Sequence, residues 1–87
     1  MKPQQLTLGQ RAQSALRERG WRQGPYDRDY SGRLCILEAL SVATDEPTIP
    51  RVAIKSLGFA HTGEAVDWND APGRTVEEVL ERLEVAP

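Results

Sequence analysis

A chain of 87 residues, 39% hydrophobic and 28% charged, has room for one globular domain and no second. Its single cysteine, Cys35, excludes an intrachain disulfide framework, and its longest apolar run, residues 34–37, is far too short to cross a bilayer. The net charge of −2 is unevenly spread: residues 1–33 hold seven basic against three acidic side chains, residues 34–87 four against ten, a split that steers charged partners unless the two halves pack together and neutralise each other.

The N-terminus, Met1-Lys2-Pro3-Gln4-Gln5, lacks the apolar core of a secretory signal. Cytoplasmic residence is therefore expected, with residues 1–6 as a flexible tail ahead of a single helical domain. Thr7, with Gln10 three residues on, has the spacing of a capping box and predicts the start of a first helix. Leu8, Ala12, Ala15 and Leu16 lie on one face of it, and Gly20 closes it, with Trp21 placed to fold back on the last turn. Residues 21–32 read as a loop, punctuated by Gly24-Pro25 and Ser31-Gly32 and rich in aromatics (Trp21, Tyr26, Tyr30).

Residues 33–43 predict a second helix, apolar on most sides and so central. A short strand at residues 34–37, pairing back on residues 26–30, is the competing reading, since period alone does not separate short apolar runs. After a turn-rich break at residues 44–47, Thr48 is placed to cap a third helix with Pro50 in its first turn, apolar at Ile49, Val52, Ala53 and Leu57, and ended by Gly58. Residues 59–63 read as a loop and residues 64–68 as a short helical turn. Ala71-Pro72-Gly73-Arg74 suits a type II turn. Thr75 with Glu78 then forms a second capping box, opening a helix whose buried stripe is Val76, Val79, Leu80 and Leu83, with Glu78 and Arg82 at salt-bridge spacing. The fold class is all-α: three or four short helices around Leu8, Leu16, Leu34, Ile36, Leu37, Leu40, Val52, Leu57, Val79, Leu80 and Leu83.

The chemistry-bearing residues are few. One His and one Cys fall short of a structural zinc site, and no calcium-loop spacing is present, so no metal and no cofactor are expected. Cys35 and His61 form the only Cys–His combination, but Cys35 sits in the most apolar segment, where thiols are inert. Asp67, Asp70, Glu77 and Glu78 cluster in sequence; turn capping and a helix N-terminus account for them better than acid–base catalysis does. Arginines 11, 17, 19, 22, 28 and 33, with Trp21, Tyr26 and Tyr30, combine positive charge with stacking surfaces, the raw material of a nucleic-acid surface on a chain that is acidic overall. The stretch Trp68-Asn69-Asp70-Ala71-Pro72-Gly73-Arg74-Thr75 is the most distinctive. Trp68 is expected to plug the core and Asn69 and Asp70 to bond nearby backbone N–H groups, the alternative being a surface recognition loop anchored by Trp68 and Arg74; Arg74 suits either reading.

The order Gly20-Trp21-x-x-Gly24, Gly32-Arg33-x-Cys35-x-x-x-Ala39-Leu40 and Trp68-Asn69-Asp70-x-Pro72-Gly73-Arg74-Thr75-x-x-Glu78-Val79 resembles a family of small uncharacterised proteins from actinobacteria and their phages. The likeness runs from Leu8 to Leu83 and is most specific in the Trp-Asn-Asp block. It implies a self-contained domain in a phage or prophage context, and no mechanism. The expected function is non-catalytic: binding of a host or cellular protein through Trp21, Arg22, Tyr26, Tyr30 and Arg74, aromatics and arginines outside the helical stripes. The alternatives are a nucleic-acid-binding regulator using the basic N-terminal half and a small enzyme using Cys35 and His61 or the carboxylates near Asp70. No membrane association is expected.

Overall fold

Residues 6–24, 32–44 and 48–86 are described by the computed structural model. Five α-helices run through them: α1 (Leu8–Arg19), α2 (Ile36–Thr44), α3 (Arg51–Ser56), α4 (Thr62–Asn69) and α5 (Val76–Leu83). The all-α class holds, with one helix more than the three or four expected.

Two helices start where local chemistry says they should. Thr7 Oγ1 accepts the Gln10 N–H at 3.1 Å while Gln10 Oε1 accepts the Thr7 N–H at 2.9 Å, and Thr75 and Glu78 repeat the arrangement at α5. Each box satisfies two backbone donors that a helix start leaves orphaned. Gly20 ends α1 at φ +88°, its N–H on Leu16 O. The turn before α5 forms as read, with Arg74 N–H on Ala71 O at 3.0 Å and Gly73 at φ +82°, a backbone angle that glycine adopts freely.

The other helices depart from expectation for identifiable reasons. α2 begins at Ile36, not residue 33, because Leu34 is held extended: its N–H donates to Gly20 O and its C=O accepts the Arg22 N–H, an isolated parallel bridge to Trp21. The strand alternative is thereby corrected, since Ile36 and Leu37 are helical; its partner, residues 26–30, lies outside the described residues. Pro50, not Thr48, occupies the N-cap of α3 and makes no side-chain cap bond. α4 is a full helix capped by His61, whose Nδ1 accepts the Glu64 N–H while Glu64 Oε1 accepts the Ala60 N–H. Imidazole is not among the preferred N-cap side chains, so residues 62–69 carry no conventional start signal. Of the expected tail, residues 1–5 lie outside the described residues, as do residues 45–47 of the break before α3.

The core gathers Leu16, Leu34, Ile36, Leu40, Ile54, Leu57, Phe59, Val79 and Leu83, with Leu8, Trp21, Leu37, Trp68 and Leu80 packed at its margin. Val52, expected inside, is 67% exposed; α3 turns Ala53 and Ile54 inward instead. α2 buries one face, Ile36, Ala39, Leu40 and Ala43, and leaves Val42 exposed. α1 lies against α2 and closely against α5, where the Gly9 N–H donates to Ala86 O and Gln13 Nε2 to Leu80 O at 2.7 Å. No helix among the described residues is long and apolar enough to cross a membrane.

Candidate functional site

Asn69, the last residue of α4, is fully buried, and its amide uses its whole hydrogen-bonding capacity. Oδ1 accepts the Trp21 indole N–H at 2.8 Å and the Ile36 backbone N–H at 3.0 Å; Nδ2 donates to Arg22 O and to Asp70 Oδ1. Asp70 Oδ1 also accepts the Gly24 N–H, and Gln23 Nε2 donates to the carbonyls of Asn69 and Ala71. The Asn-Asp pair thus ties the segment after α1, the start of α2 and the end of α4 into one junction. Both side chains bond backbone N–H groups, but the expectation of nearby partners is corrected: the N–H groups belong to Ile36 and Gly24, distant in the chain.

Beside this junction stands a second polar cluster. Arg22 is 5% exposed; its guanidinium donates to Arg33 O, to Gly24 O and, at 2.6 Å, to Glu38 Oε1. Glu38 Oε1 also accepts the Cys35 N–H at 2.9 Å. Burial pulls the Glu38 carboxyl up, but the Cys35 N–H and the Arg22 charge outweigh it and hold the group below its usual range. Burial, with the neighbouring carboxylate, pushes the Cys35 thiol up, away from the thiolate that nucleophilic chemistry needs.

The five expected contact residues therefore separate. Arg22 is corrected from a surface anchor to a buried structural cation. Trp21 is half-buried, with its polar edge on Asn69. Tyr26 and Tyr30 lie outside the described residues. Arg74 lies in an open groove of about 390 Å³, together with Trp68, Glu78, Glu81, Arg82 and Val85.

The groove is built around Trp68, which α4 carries one position before Asn69. The Arg74 guanidinium lies 3.9 Å and that of Arg82 4.7 Å from the Trp68 ring centroid, and the Phe59 ring packs beneath at 5.8 Å, tilted by 56°. Both arginines are held in place: Arg74 Nε donates to Trp68 O at 2.8 Å and Nη1 to Glu78, and Arg82 Nη1 donates to Leu57 O at 2.8 Å. The Thr75 N–H first, and Arg74 in addition, hold the Glu78 carboxyl below its usual range. The expected Glu78–Arg82 pair is corrected, because Glu78 turns to Arg74 and Arg82 reaches across to the Gly58 corner. Val85 had no mark in the sequence and Arg82 was marked only as a partner for Glu78, since what brings Arg82 here is a carbonyl at the end of α3.

The remaining chemistry is dispersed. His61 caps α4, Cys35 precedes α2, and Asp70 is absorbed in the junction. Among the described residues no three His, Cys, Asp or Glu side chains gather as a metal ion would need. Arg11 and Arg17, six positions apart on α1, point about 120° away from each other, and Arg19 Nε donates to Gly32 O.

A sequence profile described as a family of unknown function, DUF6197, matches residues 2–87, and the chain belongs to that family. No curated protein and no solved structure matches it in the comparisons.

Proposed function

We propose that this member of the family is a non-catalytic protein-binding module whose working surface is the Trp68 groove. One observation carries the reading: a half-buried indole flanked by two guanidiniums opens to solvent beside the exposed Val85. Tryptophan and arginine are the residues that most often anchor interfaces. Here both arginines are already ordered by carbonyl bonds, so little side-chain freedom is lost when a partner docks. The groove offers an apolar wall for one aliphatic or aromatic side chain and N–H donors for polar groups around it. Within the phage resemblance, the partner is a host protein and the role is modulation of it.

Two features weigh toward this over the alternatives. Among the described residues, the arginines of the basic half are dispersed, buried or bonded rather than ranged along one face, which leaves little for a phosphate backbone. The thiol is held protonated beside a carboxylate, which leaves little for nucleophilic catalysis.

The test compares proteins captured from cell lysate by the wild type, by Val85→Asp and by Glu81→Arg, with Ser14→Ala on the far side of α1 as control. All three positions are exposed, so folding is retained to within about 0.5 kcal/mol. A partner held by wild type and control and lost from both groove variants supports the reading. Identical capture by all four proteins overturns it.

A further inference from the structure

A second cleft, of about 340 Å³, opens between α3 and the start of α4. Its aliphatic lining is the buried Ile54, the half-buried Ile49 and the exposed Ala60; the exposed Arg51, Lys55, His61 and Thr62 line it too. We infer that this cleft docks an acidic segment of a partner protein that also carries an aliphatic side chain.

Charge is the first argument. Residues 34–87 hold four basic side chains. Arg74 and Arg82 are bonded to carbonyls, a carboxylate and rings, whereas Arg51 and Lys55 are exposed and take part in no hydrogen bond or ion pair of the described structure. They lie at i and i+4, hence on one side of α3. Among the described residues no carboxylate lines the cleft; the nearest of these in sequence, Glu64, has Oε1 on the Ala60 N–H. In the acidic part of an acidic chain, two exposed cations with no carboxylate partner among the described residues favour a negatively charged occupant.

The lining decides its kind. Nucleic acid held by two cations would want broad rings to stack on, and among the described residues this cleft has one, His61, committed to the Glu64 N–H as the cap of α4. A free phosphate would leave the half-buried Ile49 and the exposed Ala60 uncovered. Val52, 67% exposed, lies about 60° round the helix from Lys55, so apolar and cationic surface continue together along α3, as an acidic peptide with an aliphatic anchor would use them.

The experiment is an amide-resolved NMR titration of the full chain with a blocked peptide of glutamate and leucine. Its comparators are the same peptide with lysine for glutamate, inorganic phosphate, and a single-stranded oligonucleotide. The expected result is saturable shifts at the amides of residues 51–56 and 60–64. Affinity should fall at least about tenfold in the R51E/K55E double variant, and similarly from about 50 to about 500 mM salt. The double variant's own spectrum shows whether the fold is kept. Absent shifts at those amides, equal binding of the lysine peptide or an unaffected double variant would overturn the inference. So would tighter binding of phosphate or oligonucleotide, or concentration-dependent shifts without peptide, which would assign the cleft to a second copy of the chain. Val85→Asp, in the other groove, leaves this titration unchanged, so the two readings fail separately.

Discussion

Replacing Asn69 by leucine fills the same space but strands the Trp21 indole N–H, the Ile36 N–H and the Arg22 carbonyl. Each buried group left without a partner costs roughly 1–3 kcal/mol, and the set of three should lower stability by at least about 3 kcal/mol, read as a lower urea midpoint at unchanged slope. A change under about 0.5 kcal/mol, the scale of an ordinary surface substitution, would mean that Asn69 does not hold the junction. Glu38 supplies the pH dependence. Its carboxyl titrates below the ordinary 4.5 because the Cys35 N–H and Arg22 overcome burial. A group that ionises more readily when folded contributes its full stabilisation above the unfolded value and loses it as pH falls through the lower folded one. Glu38→Gln should therefore flatten the acid limb of a stability–pH curve below 4.5. At neutral pH it should cost about 1–2 kcal/mol, less than a fully buried pair would, because Glu38 is a third exposed.

At the scale of elements, the contact between α1 and α5 depends on a missing side chain. A Cβ on Gly9 would lie 1.9 Å from Leu83 O, a backbone atom that moves only if the helices part. Alanine in an open helix interior is worth about 1 kcal/mol over glycine; here the sign reverses, and Gly9→Ala should lower stability by about 2–3 kcal/mol in a thermal melt. Gly73, whose Cβ would meet nothing within 4 Å, poses no such obstacle of space. The contrast shows what a sequence can carry. The capping boxes at Thr7 and Thr75 were legible because both partners sit within four residues and no tertiary contact is needed. The approach at Gly9 was not, because glycine there looks like any weak helix residue until α5 is laid against it. The His61 cap and the delayed start of α2 were hidden for related reasons: one uses an uncommon capping group, the other a bridge to Trp21.

At the scale of the molecule, the oppositely charged parts of the chain meet, among the described residues, at the Arg22–Glu38 pair and at neutral hydrogen bonds to Asn69. The Trp68 groove was half legible. Arg74 could be singled out by its place in the Trp-Asn-Asp block, while Trp68, expected within the core, stands at its margin, and Arg82 arrives from a helix face that reads as solvated. The Arg51–Lys55 cleft gave no sign, because its lining depends on α4 starting at residue 62. The junction at Asn69 has a bearing on how the chain is made. Its bonds span 48, 33 and 47 positions, so closing them needs long loops to be drawn together, which is slow relative to forming a helix. On the ribosome, α1 and α2 are synthesised long before the asparagine that locks them emerges. Until it does, their greasy faces stand open to chaperones and proteases, and the nascent protein becomes a finished fold only with its final third.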